Sequence, residues 1–247
     1  MADREHLVYG LHPVETVLER RIGAVLSAVV LDAELKGRLA RIVDTIKQAG
    51  VPVERATRSV LDRLAHGGVH QGIVLKVPPP REQDLNTLEQ LVEARGTALR
   101  LLVLDQVEDP RNLGACLRTA DATATDAVVV PKARSAKLNP SALKSAAGAA
   151  ETVPLVIVPN LARSLRWLSN AGVRLIGADE RGEQTLFDVE ITSPIAIVLG
   201  AEGRGLRRLT REACDTLIRI PMQGTVESLN VSVAAGVVLY ELARQSR

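Results

Sequence analysis

The stretch LRLLVLDQVEDPRNLGACLRTADA, residues 99–122, decides the fold class of this chain. Its first seven residues, Leu99–Asp105, form a short apolar run that predicts a buried strand. A polar loop containing Pro110 follows, and Asn112–Thr123 then places apolar residues at helical spacing. An apolar strand that leads through a loop into a helix is the repeating unit of α/β proteins with a parallel sheet.

The same alternation continues towards the C-terminus. Short apolar runs that predict further strands are DAVVVP, VRLIGAD, IAIVLG and TLIRIP. Such runs are typical of parallel strands that are covered on both faces. A last helix is predicted over about Ser228–Arg244, and its first turns are apolar nearly all round, which indicates burial in its own chain or against a partner. We therefore predict a large α/β domain over residues 85–247.

A second, smaller α/β alternation occupies residues 1–77. Helices are predicted over His12–Arg21 and about Glu34–Ala49, and strands over Val25–Asp32 and Gln71–Val77. The segment PPPREQD, residues 78–84, begins with three prolines, which neither donate to a sheet nor continue a helix. We predict that residues 78–84 link two domains.

Composition restricts the function classes. The 247 residues include 31 Lys and Arg against 29 Asp and Glu, and aromatic residues make up 2%. This balance is typical of a globular protein and, taken alone, favours a small-molecule enzyme over a nucleic-acid binder. No apolar run approaches the roughly 20 residues that span a bilayer, and MADREHLVYG lacks the apolar core of a secretory signal. With two cysteines and no C-x-x-C, the sequence predicts a cytoplasmic protein without a metal site or membrane segment.

Three polar loops follow apolar strands, where open α/β sheets bind their ligands. They begin after LLVLD, after IAIVL as the glycine loop GAEGRGL (Gly200–Leu206), and after IRI as PMQGTVESLNVS. The polar side chains that these loops and the helices after them contribute are Asn112, Arg118, Glu202, Ser228 and Asn230. Such a set suits a reaction that requires positioning and charge stabilisation at an oxygen.

Each of these residues, taken singly, also has a structural explanation. Asn112 and Ser228 are typical helix N-caps, and Arg118 within a helix is typical of a solvated or ion-paired side chain. Glu202 is harder to explain in this way, because a glycine turn needs no charge beside it. The glycine loop reverses the dinucleotide fingerprint, so an NAD-dependent enzyme has weak support. All four histidines precede the linker, which excludes histidine-based catalysis in the second domain unless the first domain lends a residue.

Together, the three loops resemble the three sequence motifs of the SpoU family of RNA ribose 2′-O-methyltransferases. The first motif is carried by NLGACLR, with Asn112, Gly114 and Arg118, the second by IVLGAEGRGL and the third by IPMQGTVESLNVSVAAGVVLYE. In the first domain, LVYGLHPVETVLE and HGGVHQGIVLKV are similar to the substrate-binding domain of a 23S rRNA guanosine methyltransferase of that family. The resemblance covers nearly the whole chain.

The resemblance implies a SPOUT fold, an α/β sheet whose C-terminal segment forms a deep trefoil knot, preceded by a small ribosomal-protein-like RNA-binding domain. It implies S-adenosylmethionine bound in the knot and a homodimer across the C-terminal domain. Cofactor contacts are implied at Leu199, Gly200, Gly203, Ile220, Met222 and Leu229. The implied catalytic residues are Asn112, Arg118, Glu202, Ser228 and Asn230. The implied reaction is methyl transfer to the ribose 2′-hydroxyl of a guanosine in 23S rRNA.

Arg118 is the residue on which we expect catalysis to depend most. The family assigns this arginine the role of a base, but a guanidinium is effectively never neutral. Stabilising the developing oxyanion, or gripping the phosphate beside the target ribose, is physically easier. We expect Glu202 to orient Arg118 or the ribose, and Ser228 with Asn230 to shape the loop.

RNA contact must come from local charge, because neither domain is globally basic. The segment 127–150 carries no acidic side chain, and a second basic run follows the glycine loop. The residues that we predict to contact RNA are Lys132, Arg134, Lys137, Lys144, Arg204 and Arg207. The scarcity of aromatic residues argues against a stacking platform, so we expect Trp167 and Phe187 to lie in the core.

Other functions remain open at this stage. A tRNA ribose methyltransferase of the same family, or a resistance methylase that acts on an rRNA adenosine, would carry the same three motifs. A non-catalytic RNA-binding factor for ribosome assembly would keep the fold without the activity, and the presence of the complete motif set argues against it.

Overall fold

The computed structural model describes residues 5–246 and divides into two compact units, the first ending at Pro80 and the second beginning at Arg81. We predict that the N-terminal segment is not a secretory signal. Residues 1–4 of that segment lie outside the described residues. Each unit contains its own sheet, four-stranded in the first and seven-stranded in the second.

Unit 1 is an α/β layer with a mixed sheet. Its elements are β1 (His6–Tyr9), α1 (Leu11–Arg21), β2 (Ser27–Leu31), α2 (Gly37–Gln48), β3 (Val53–Ala56), α3 (Arg58–Leu64) and β4 (Ile73–Val77). The strand order is β1-β4-β2-β3, in which only β2 and β3 are parallel. The amphipathic helices α1 and α2 bury Val17, Ile42 and Ile46 against one face of this sheet.

A buried histidine holds the loop that precedes β4. The Nε2 of His70 is 3.0 Å from a carboxylate oxygen of Asp62, and its Nδ1 accepts a hydrogen bond of 3.0 Å from the backbone N–H of Gly72. Because Nδ1 accepts, Nε2 carries the proton and donates to Asp62. His70 therefore fixes the backbone of this loop.

Unit 2 continues the alternation that the sequence predicts. Its helices are α4 (Leu85–Arg95), α5 (Pro110–Ala122), α6 (Pro140–Ala146), α7 (Leu161–Asn170), α8 (Arg208–Glu212) and α9 (Val231–Gln245). Its strands are β5 (Arg100–Asp105), β6 (Ala127–Pro131), β7 (Leu155–Val158), β8 (Arg174–Ala178), β9 (Gln184–Thr185), β10 (Ile195–Gly200) and β11 (Thr216–Arg219). Five of these elements, α6, β7, α7, β9 and α8, are not predicted from the sequence.

The sheet of unit 2 has the order β7-β6-β5-β10-β8-β11-β9, and every pairing in it is parallel. Its strands alternate between two cores. Leu102 and Ile197 face the core shared with α5 and α9, whereas Leu101 and Val198 face the core shared with α4 and α7. The prediction of a parallel α/β sheet covered on both faces is confirmed.

Two helices begin at residues other than those that the sequence predicts. Helix α5 begins at Pro110 with Asp109 as its cap, and α9 begins at Val231 with Asn230 as its cap. The structural explanation of Asn112 and Ser228 as N-caps is therefore wrong. Both predicted starts differed because Ser, Asn and Asp are comparably good caps, so residue type alone does not select among neighbours.

Two further observations bear on expectations from the sequence. A Cβ on Gly114 would lie 2.7 Å from the Cβ of Ser145, so this glycine lets α6 pack against α5. Phe187 is 59% exposed, and its expected place in the core is wrong. Its neighbours Leu186 and Val189 are buried instead.

Candidate active site

The carboxyl ends of three parallel strands meet around two adjoining cavities. Strand β5 leads through Gln106 into α5, β10 leads into the glycine loop, and β11 leads into the loop before α9. The larger cavity has a volume of about 460 Å³ and the smaller about 340 Å³. Both volumes lie in the range of ligand sites. Ala201, Glu202, Arg204 and Val231 line both cavities.

Asn230 joins the three sequence motifs. Its Oδ1 accepts hydrogen bonds from the backbone N–H and the hydroxyl of Ser232, at 2.9 and 2.7 Å. Its Nδ2 donates to Oδ1 of Asn112 at 3.1 Å and to Oε2 of Glu202 at 3.2 Å. The orientation of the amide is fixed, because a backbone N–H can only donate. One side chain thus ties the start of α9 to the start of α5 and to the glycine loop.

The glycine loop is held in place from both ends. A Cβ on Gly200 would overlap the carbonyl group of Gly205, so the loop can close on the end of β10 only with glycine at position 200. Gly203 and Gly205 have φ of +73° and +62°, in the left-handed region that favours glycine. Beyond the loop, Arg207 donates its backbone N–H and its Nε to the carboxylate of Asp105, at 3.1 and 2.7 Å.

The larger cavity contains all six residues that the resemblance assigns to the cofactor. They are Leu199, Gly200, Gly203, Ile220, Met222 and Leu229. Glu202 and Ser228 line the same cavity. Its wall is therefore formed partly by apolar side chains and partly by glycine backbone, which suits a flat heterocycle whose edge is read by main-chain groups.

The sequence analysis missed a group of polar residues in this cavity. Asp179, Glu180, Arg181 and Thr185 also line it. They follow β8, whose carboxyl end lies beside that of β10 in the sheet. Since VRLIGAD was identified as a strand, the rule that ligands bind beyond the carboxyl ends of strands could have found them.

The smaller cavity is polar and acidic. Its polar lining comes from the loop after β5 and the glycine loop, namely Gln106, Glu108, Asp109, Asn112, Glu202 and Arg204. Asp109 is partly committed, because its Oδ1 caps α5 by accepting from the backbone N–H of Arg111 at 2.8 Å. Glu202 is likewise bonded to Asn230.

Arg118 does not join the other catalytic candidates within the described chain. It is exposed on α5 and lines neither of the two cavities. The helix explains this, because Arg118 lies six residues after Asn112, about 240° around the axis and about 9 Å along it. One chain therefore brings together Asn112, Glu202 and Asn230, with Ser228 on the larger cavity, and leaves Arg118 apart.

The predicted RNA-contacting residues have different surroundings. Lys132, Arg134 and Lys144 are exposed on the segment from β6 to α6. Lys137 pairs with Glu82 at 3.7 Å. Arg204 lines the cavities, whereas Arg207 is bound to the fully buried Asp105. Arg207 therefore has a structural role beside the RNA contact that the sequence predicts.

Both cysteines lie outside the lining of the two cavities. Burial raises the pKa of Cys116 to about 12. Burial, with nearby carboxylates, also raises the pKa of Cys214 to about 12, so neither thiol is a thiolate at neutral pH. Within residues 5–246, no group of three or more His, Cys, Asp and Glu side chains is arranged to hold a metal ion. No helix in the same range is long and apolar enough to cross a membrane.

Comparison with known proteins follows the division into two units. Residues 100–240 match the SpoU rRNA Methylase family, and residues 7–83 match the RNA 2′-O ribose methyltransferase substrate-binding family. The chain belongs to the SpoU rRNA methylase family.

Relatives of this SpoU family member match over nearly their whole length. The chain is 47% identical over 238 residues to a 23S rRNA (guanosine-2′-O-)-methyltransferase RlmB of Vibrio parahaemolyticus, covering 96% of each chain. It is 46% identical over 239 residues to the RlmB of Escherichia coli K12, covering 97% of this chain and 98% of the other.

A solved structure of the same family is also similar. The SpoU methyltransferase AviRb of Streptomyces viridochromogenes, in complex with AdoMet, superposes with a TM-score of 0.76 at 26% identity, covering 98% of this chain and 90% of the other. The similarity extends over both units of the present chain.

Proposed function

We propose that this chain transfers a methyl group from S-adenosylmethionine to the ribose 2′-hydroxyl of a guanosine in 23S rRNA. The observation that carries the proposal is the pair of bonds from Asn230 to Asn112 and Glu202, which brings the three motif loops together between two adjoining cavities. The names of the relatives in Vibrio and Escherichia supply the substrate. A substrate in the ribosome places the protein in the cytoplasm.

The larger cavity fits the cofactor. Leu199, Ile220 and Leu229 offer apolar faces to the adenine ring, and Gly200 and Gly203 expose backbone groups to its edges. When bound, S-adenosylmethionine supplies a methyl group on sulfur, the sulfur leaves as a thioether, and the accepting 2′-oxygen gives its proton to solvent. Ser228, in the loop before α9, lines the same cavity.

The acceptor ribose is positioned from the smaller cavity. Asn230 occupies one oxygen of Glu202 and the carbonyl oxygen of Asn112. The Asn112 amide N–H groups and the second oxygen of Glu202 can therefore donate to and accept from the ribose hydroxyls. Asn230 acts as a positioning residue, because it holds the side chains of Asn112 and Glu202 in one geometry while its own oxygen is bonded to Ser232.

Arg118 is supplied by a second copy of the chain. Its place on α5 excludes it from the cavities of its own chain. As one of the catalytic residues that the family resemblance implies, it would stabilise the negative charge that develops on the 2′-oxygen or the adjacent phosphate. Helix α9 offers the contact surface, since Val233 and Tyr240 are 51% and 58% exposed on the side where Gly236 meets no neighbour. A homodimer through the C-terminal domain would cover this stripe.

The remaining features of the family complete the proposal. Residues 1–77 form the substrate-binding domain, residues 78–84 the linker and residues 85–247 the methyltransferase domain. The C-terminal segment forms a deep trefoil knot, as membership of the SpoU family implies. RNA contacts are made by Lys132, Arg134, Lys137, Lys144, Arg204 and Arg207, of which Arg204 alone lines the two cavities.

The activity is tested with tritiated S-adenosylmethionine and three RNAs, namely 23S rRNA, 16S rRNA and bulk tRNA. We expect label in 23S rRNA alone, at the 2′-oxygen of one guanosine located by primer-extension arrest at limiting dNTP. Label in tRNA would transfer the assignment to the tRNA enzymes of the family. Absence of label from every RNA, with the cofactor bound in calorimetry, would favour a non-catalytic assembly factor.

The shared site is tested by mixing two inactive variants. We expect Arg118→Ala and Glu202→Ala each to lower kcat by about 100-fold or more, because each removes a group that acts in the transition state. After unfolding and refolding together, the mixture should recover about a quarter of wild-type activity, since half of the dimers carry one intact site of two. No recovery would place Arg118 and Glu202 in the same chain's site. As a matched control, Arg166→Ala on α7 should leave kcat unchanged.

A further inference from the structure

The smaller cavity contains a carboxylate that the proposed reaction does not use. Glu108 lines this cavity from the loop between β5 and α5, and its residue is exposed. Asp109 caps α5 and Glu202 binds Asn230, so each of these neighbouring carboxylates already has a role. Arg204 brings a guanidinium to the same cavity from the glycine loop.

The charge of this cavity selects what can enter it. Three carboxylates, on Glu108, Asp109 and Glu202, stand against the single guanidinium of Arg204. A phosphate group would be repelled by this excess of negative charge. A nucleobase that presents hydrogen-bond donors would instead be attracted, because hydrogen bonds to ionised acceptors are roughly twice as strong as neutral ones.

Among the four bases of RNA, guanine alone presents two adjacent donors, N1–H and N2–H, on its Watson–Crick edge. Adenine and cytosine offer one exocyclic amine beside a ring nitrogen that accepts, and uracil offers one N–H between two carbonyl groups. The neighbouring O6 and N7 of guanine are acceptors that suit an arginine. A carboxylate and a guanidinium on the wall of one cavity therefore match guanine and mismatch the other bases.

The geometry points to the smaller cavity as the site of the target guanine, with Glu108 accepting from N1–H and N2–H and Arg204 donating to O6 and N7. This inference rests on the proposed function and adds the residues that determine base specificity. The cavity joins the cofactor cavity through Ala201 and Glu202. A base held there keeps its own ribose beside Asn112, where the acceptor hydroxyl is required.

The test measures kcat/KM on a 23S rRNA fragment that carries guanosine, inosine or adenosine at the mapped position. Inosine lacks the N2 amine, so the wild type should prefer guanosine over inosine by about tenfold or more. Glu108→Ala should reduce that preference to within about twofold, mainly by lowering kcat/KM for guanosine. Arg204→Ala should lower kcat/KM for guanosine and inosine by the same factor, because both bases keep O6 and N7.

Two controls separate this inference from the proposed function. Glu93→Gln, an exposed carboxylate on α4, should keep the wild-type preference. Calorimetry with S-adenosylmethionine should give the same Kd for Glu108→Ala as for the wild type, which shows that the variant is folded. A Glu108→Ala variant that keeps its preference for guanosine over inosine would overturn the guanine site and leave the methyltransferase standing. A wild type that methylates no RNA, or methylates another base, would overturn both.

Discussion

The strands of the seven-stranded sheet all run in one direction, so the sheet has an amino edge, where the strands begin, and a carboxyl edge, where they end. Aspartates have different roles at these two edges. At the amino edge, Asp126 accepts the backbone N–H of Arg100 at 2.8 Å, and Asp215 accepts that of Leu175 at 2.7 Å. Each of these carboxylates precedes one strand and caps the first residues of its neighbour. At the carboxyl edge, Asp105 binds Arg207 beyond the glycine loop, and Asp179 binds the backbone N–H of Arg181 at 3.1 Å.

The difference shows how topology assigns a role to a residue type. A carboxylate at the amino edge binds the sheet itself and closes it. A carboxylate at the carboxyl edge binds a segment beyond the strand ends, and so determines the shape of the cavity there. The four aspartates are the same residue type. Whether each one stabilises the sheet or shapes the cavity depends on whether it lies at the start or at the end of the strands.

The largest effect is expected from Gly200→Ala at the carboxyl edge. The added methyl group would overlap the carbonyl of Gly205, so the glycine loop must move away from β10. We expect cofactor affinity to fall by at least about 100-fold and the free energy of unfolding by about 2–3 kcal/mol, as for overpacked sites. Calorimetry and urea unfolding measure the two quantities.

The matched control for Gly200 is Gly224→Ala in the loop before α9. A Cβ at Gly224 meets no atom within 4 Å, and its φ lies outside the left-handed region. We expect its cofactor affinity to stay within about twofold of wild type and its stability to rise slightly, because alanine restricts the unfolded chain. Equal losses in both variants would show that the loop does not close on β10 as described.

A smaller but more selective effect is expected from Asp105→Asn against Asp126→Asn. Removing one partner of a buried pair costs about 3–5 kcal/mol, but the Arg207 side chain is 42% exposed, so we expect about 1–2 kcal/mol. Asp126→Asn weakens the pair with Arg95 and should cost a similar amount. Only Asp105→Asn should lower kcat for methyl transfer, by about tenfold, because Asp105 holds the end of the loop that carries Glu202. Equal kcat values in the two variants would remove the functional distinction between the edges.

Much of this comparison could be predicted from the sequence. The apolar runs locate five of the seven parallel strands, and the helix predicted over His12–Arg21 is observed over Leu11–Arg21. The direction of the strands then places the three polar loops at one edge. The angular separation of Arg118 from Asn112 was also predictable from the 3.6-residue period, once both lie on one helix.

Other features depend on contacts between segments far apart in the chain. Asn230 caps α9, although Ser228 is an equally good cap, and it also bonds Asn112 at a separation of 118 residues. Gly114 is required by the approach of α6, which the sequence analysis did not identify. Periodicity describes one segment at a time, so neither contact is encoded in a local pattern.

The smallest expected effect is a loss of stability in acid. All four histidines precede residue 78, so neither edge of the seven-stranded sheet carries one. Burial, with the nearby charge of Arg21, lowers the pKa of His6 to about 4. The unfolded chain, with an ordinary pKa near 6.5, binds this proton first, so His6 destabilises the protein as the pH falls from about 6.5 towards 4.

We expect the free energy of unfolding in urea to be lower at pH 5.5 than at pH 7.5, with about 1 kcal/mol of the decrease due to His6. His6→Gln should remove that part, whereas His12→Gln, an exposed residue on α1, should keep it. If His6→Gln keeps the full decrease, protonation of His6 is not the source of the acid sensitivity.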